Sequence, residues 1–116
     1  MTLRVLALAA ICLHLLIGVA DVPRVAFVRP PSFVNESETV VLQIRVEPDS
    51  ENRQLIVAAI DGEFVVASSS EDLPGPRTRW VRLRLPAGDL LLVAVLMDTA
   101  GEVARDTHPL TVRSFP

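Results

Sequence analysis

The chain has no lysine and no tyrosine, and it has a single cysteine and a single tryptophan. Each shortage excludes something. Without lysine there is no Gly-Lys-Ser/Thr loop to cradle phosphates, so the Asp98-Thr99-Ala100-Gly101 stretch cannot be the magnesium-holding Asp-x-x-Gly of a GTPase. Ala100 also breaks the Asp-Thr/Ser-Gly of an aspartic protease. With so few aromatics there is no stacked platform of the kind that grips sugar rings. The cysteine is Cys12, deep in an apolar N-terminal run, where no lipoprotein cleavage pattern ends at it. Acids outnumber bases, 14 to 11, so there is no basic footprint for nucleic acid or for an anionic membrane surface. Arginine without lysine points to a GC-rich coding sequence and, with the export signal below, to a bacterial source.

Residues 1–20 read as an export signal. Arg4 gives a basic start, Val5–Ile17 is apolar apart from His14, and Gly18-Val19-Ala20 supplies small residues before a cut at Ala20–Asp21. The alternative is an uncleaved anchor over 5–20, a little short of the roughly 20 residues a span needs. Cleavage removes Cys12 and Arg4. It leaves roughly 96 residues with no thiol and no disulfide, held by their core alone. The expected location is periplasmic or extracellular, or the membrane if the segment stays.

Beyond Ala20 the apolar pattern has period two, and turn formers divide it into about seven strands. These are 22–28, 39–47, 54–60, 63–67, 78–85, 90–97 and 103–112, the last interrupted at Pro109. Val40, Leu42, Ile44 and Val46 face the core, as do Val81, Leu83 and Leu85. Asp61-Gly62 signals a hairpin. Ser68-Ser69-Ser70 and 72–76 read as a loop. Strands 54–60 and 90–97 are apolar at both parities and belong in the middle of a sheet, while Pro30, Pro31 and Pro109 belong on edges. The expectation is all-β: an antiparallel two-sheet sandwich over 21–116, with 21–35 as an N-terminal strand and linker and 36–116 as its main body.

Leu85-Pro86-Ala87-Gly88, an apolar strand, Asp98-x-x-Gly101 and a closing Leu110-Thr111-Val112 resemble the end of a bacterial immunoglobulin-like or fibronectin-III-like domain. The resemblance covers roughly 36–112 and is strongest over 78–112. It implies a secreted, non-catalytic binding or spacer module. Leu90 stands where such domains often carry tyrosine, so there is no tyrosine corner. Trp80 lies on the fifth strand instead of the third, and the disulfide pair is absent.

Residues with possible chemistry are scattered. One mature histidine, His108, makes no zinc or copper site. Asp49, Glu51, Asp61, Glu71 and Asp72 are the acids available to calcium, but no alternating ligand loop holds them. Ser68–Ser70 lack the context of a nucleophile. Consecutive acids on a strand point to opposite faces, so Glu71-Asp72 is not a catalytic pair. These patterns imply no enzyme and no cofactor.

Two rows remain as candidate interaction residues. Trp80, Arg82 and Arg84 share the outward side of one strand, where indole and guanidinium could stack. Leu91, Val93, Val95 and Met97 are apolar where a half-solvated strand should be polar. Either 22–31 or 68–76 covers that strip, or a partner does. The partner expected is another envelope or secreted protein, or a second copy; the alternative is a module binding carbohydrate or calcium.

Overall fold

The computed structural model describes residues 22–114. The export signal, its cleavage at Ala20–Asp21 and the alternative anchor over 5–20 lie outside the described residues. Eight strands form: β1 (Val25–Phe27), β2 (Phe33–Asn35), β3 (Thr39–Val46), β4 (Asn52–Asp61), β5 (Phe64–Asp72), β6 (Thr78–Arg84), β7 (Gly88–Asp98) and β8 (Gly101–Arg113). They make two sheets, β1-β3-β6 and β2-β8-β7-β4-β5. Among the described residues there is no helix.

The two sheets are the layers of a β-sandwich. Val40, Leu42, Ile44, Val46, Val81 and Leu83 come inward from the three-stranded sheet, as their period-two spacing requires. Leu55, Val57, Ala59, Leu90, Leu92, Ala94, Leu96, Leu110 and Val112 meet them from the five-stranded sheet, and all join one apolar cluster. Strands β4 and β7 are interior, as their apolar character at both parities demands.

Three expectations are corrected. The sandwich has eight strands, because Phe33–Asn35, read as linker, forms β2 and pairs with β8 in parallel, not antiparallel. Ser68–Asp72, read as loop, continues β5 against β4, with Gln54↔Asp72 in register. Serine is a poor strand former by propensity, yet an edge strand needs hydrogen bonds on one side only, and β4 supplies them. The last strand is not broken at Pro109, which pairs with Leu91 inside β8. Thr111 donates its N–H to Ser32 O at 3.0 Å, away from β7. Pro109, two residues earlier, turns its nitrogen to the same side, where β2 does not reach, so no ladder bond is lost.

Turns follow their chemistry. Asp98 Oδ1 accepts the Ala100 N–H at 2.7 Å, and Gly101 takes φ +126°, so Asp98 is a turn residue. The β4–β5 loop is Gly62-Glu63, one residue later than the sequence signal, with φ +61° at Gly62 as a type II′ turn requires. β4 opens on the buried polar Asn52. Its Nδ2 donates to Glu47 O and its Oδ1 accepts from Arg24, both at 2.9 Å. Asp106 of β8 joins the layers, accepting the Phe27 N–H of β1 at 2.9 Å.

Candidate interaction surfaces

The outer face of the five-stranded sheet is built in rows. Val95 lies between Ile56 and Arg105, Val93 between Ala58 and Thr107, and Leu91 between Ile60 and Pro109. Strand alternation sends the core set inward and leaves these residues outward. Neither proposed cover reaches them: Val25–Phe27 pairs in the other sheet, and Ser68–Asp72 is an edge strand of this one. The strip is not evenly exposed, however. Leu91 is 40% exposed, Val93 only 4%, and Val95 and Met97 are half-buried. Val93 sits at the middle of the sheet, with Ala58 and Thr107 on its flanks and Leu91 and Val95 above and below it on β7. Beyond Ile60 the hairpin tip adds Val65, 62% exposed, to this face, while Phe64, 74% exposed and opposite Asp61, turns to the other side. The sequence showed no sign of these two because a hairpin tip looks like any strand end.

Polar groups rim this face. Gln54 Nε2 donates to Ser70 Oγ at 2.6 Å. Arg105 grips Glu102 with two bonds, Nε at 3.0 Å and Nη2 at 2.6 Å. The Arg105 hydrogen bonds hold the Glu102 carboxyl below its ordinary range, and Glu102 in turn raises the Arg105 guanidinium.

The outer face of the three-stranded sheet differs. Trp80, Arg82 and Arg84 project from β6 beside Gln43, Val41 and Thr39 of β3. Trp80 is 61% exposed. Among the described residues the cation–π contact is elsewhere: Arg113 lies over the Phe33 ring, 4.2 Å from its centre. Arg82 and Arg84 make no ion pair among the described residues, whereas Arg24, Arg45, Arg79 and Arg105 each have a carboxylate within 4.0 Å.

The residues with possible chemistry do not converge. Ser68 and Ser70 lie on the outer face beside β4, while His108 shares an inward position with Leu92 and its Nε2 sits 3.0 Å from Pro31 O. Asp49 caps its own turn through the Glu51 N–H and pairs with Arg24. Glu71 points inward to Arg79 at 2.7 Å, and Asp72 faces the other way. No three histidine, cysteine or carboxylate side chains gather at one point among the described residues. An open cleft of about 450 Å³ lies between Pro48–Ser50 and Leu73–Pro76, mostly apolar, with Asn52 on its wall already bonded.

No protein-family model and no curated protein matches this chain. It is similar in fold to the crystal structure of an engineered protein, with a TM-score of 0.52 and 19% identity. The alignment covers 79% of this chain and 20% of the other, so this chain spans about a fifth of that protein's length. At that identity the likeness concerns the fold alone.

Proposed function

We propose that the chain is an exported, non-catalytic module of immunoglobulin-like fold that binds protein through the outer face of β4 and β7. The strand order supports the fold: β1, β3 and β6 share one sheet and β4, β7 and β8 the other, the division that immunoglobulin-like sandwiches use. The corner Leu85-Pro86-Ala87-Gly88 adds to this, with Gly88 at φ +143° opening β7. The basic, apolar and small-residue pattern of 1–20 supports export to the periplasm or beyond.

One observation carries the binding reading. Ile56, Ala58 and Ile60 run beside Val95, Val93 and Leu91 as one apolar field on a sheet face with no second layer among the described residues. A solvated face alternates to polar residues; this one keeps them at the rim. The partner is a second copy or another envelope protein, and the module has no cofactor.

Size-exclusion chromatography with light scattering tests this on the full chain purified as recovered after export. Self-association that rises with concentration and disappears in Leu91→Glu/Ile60→Glu is the expected outcome. A strict monomer, with no crosslinked envelope partner sensitive to those changes, refutes the reading.

A further inference from the structure

The three-stranded sheet ends at β6, and among the described residues that edge is unpaired along seven residues. Val46 donates its N–H to Arg77 O at 2.7 Å. Positions 77, 79, 81 and 83 therefore turn their backbone groups toward β3, and the alternate positions turn theirs outward. Thr78, Trp80, Arg82 and Arg84 thus carry both the free N–H and C=O groups and the outer-face side chains. Strands β1 and β2 protect their edges by being three residues long. β6 has no such limit, no proline and no bulge. What it has is charge: Arg82 and Arg84 make no ion pair among the described residues. Glu36 shares a shallow cleft with Arg84, but its carboxylate accepts the Ala87 N–H.

We propose that β6 accepts an extended acidic strand from another protein, in antiparallel pairing. Main-chain bonds form at Thr78, Trp80, Arg82 and Arg84. Carboxylates two residues apart on the incoming strand lie opposite Arg82 and Arg84, and an apolar side chain covers Trp80. Backbone bonds supply affinity in strand addition, and alternate side chains supply choice of partner. Charge selects an acidic strand over a second copy. The β6 of a copy would bring arginines against arginines. The other open edge of a copy, β5, offers little more: Leu73 donates to Arg53 O at 2.9 Å, so its free groups belong to Ser68, Ser70 and Asp72, with one carboxylate among them. This docking uses the opposite sheet from the apolar-face reading, so each stands or falls alone.

The probe is a capped nine-residue peptide with valine at the even positions, glutamate at 3 and 5, leucine at 7 to meet Trp80, and threonine at 1 and 9, carrying a fluorophore; its counterpart has lysine for each glutamate. Anisotropy should rise on the full chain with the glutamate peptide and not with the lysine peptide. Amide hydrogen exchange should slow at Trp80, Arg82 and Arg84. Each arginine reversed to glutamate should weaken binding about tenfold, the loss of one charge-assisted pair. Arg82→Glu/Arg84→Glu should also acquire the lysine peptide, with its melting temperature showing that the sandwich survives. Leu91→Glu should bind as the wild type does. Equal binding of both peptides, binding without slower exchange at those three amides, or no binding of the glutamate peptide at millimolar concentration overturns the proposal.

Discussion

β6 and β7 obey the same alternation and end with opposite outer faces. Each sends every second residue into the shared core. The other parity of β6 is Trp80, Arg82 and Arg84, on the edge of a three-stranded sheet; that of β7 is Leu91, Val93 and Val95, in the middle of a five-stranded one. Trp80 is far larger than Val93, yet it stays 61% exposed while Val93 is 4% exposed. Rank within the sheet contributes: an edge strand has a neighbour on one flank and a central strand has one on each, although Leu91, near the start of the same central strand, stays 40% exposed. Apolar residues at both parities therefore indicate a central strand first and a covered face second.

The largest effect should separate the two parities of β7. Leu92 is wholly enclosed and Leu91 half open. Leu92→Ala should cost about 3 kcal/mol by urea unfolding, and Leu91→Ala under about 1 kcal/mol. Equal losses would mean that the outer face is covered after all.

Next comes the claim that neighbours within the sheet alone bury Val93. A carboxylate there must leave water between Ala58 and Thr107. Val93→Glu should cost about 2 kcal/mol, whereas Trp80→Glu on the open edge should stay within about 0.5 kcal/mol. A tolerated Val93→Glu would place that residue in solvent and remove the argument from sheet rank.

The period-two pattern was enough to read the core residues of β3, β6 and β7, the interior places of β4 and β7, and the turn at Asp98. These depend on one chain segment and the water around it. What escaped depends on pairing between distant segments. Phe33–Asn35 is a strand only because β8 offers it an edge, and Ser68–Ser70 are a strand only because β4 does. Among candidate site residues, the direction of Trp80, Arg82 and Arg84 was legible, but not that their backbone groups are free. The apolar character of Leu91, Val93, Val95 and Met97 was legible, but not their unequal exposure, which depends on residues of other strands. Asp106 gave no signal, since its partner is a main-chain N–H of Phe27, 79 residues away.

That Asp106 bond tests whether the two sheets are joined by more than apolar packing. Asp106→Ala leaves the Phe27 N–H without its acceptor. The expected loss is about 1 kcal/mol, with faster exchange at that amide. Exchange unchanged at Phe27 would show that β1 is held by β3 alone.

The smallest effect concerns how each face treats its arginines. The five-stranded face closes Arg105 onto Glu102 within the chain, while the three-stranded face leaves Arg82 and Arg84 without an ion pair among the described residues. In the folded state the Arg105 hydrogen bonds hold the Glu102 pKa below that of the free side chain. Its contribution is therefore complete above the unfolded carboxyl value and is lost as pH falls through the lower folded one. Both side chains are exposed, so the contribution is small and salt weakens it. Glu102→Gln should lower the melting temperature slightly at pH 7, and the difference should vanish in strong acid and shrink in high salt. Arg82→Gln and Arg84→Gln, with no bond inside the chain to lose, should show neither dependence. A pH-independent loss in Glu102→Gln would assign the pair to packing at the rim, and the contrast between a self-neutralised face and one that waits for outside charge would no longer hold.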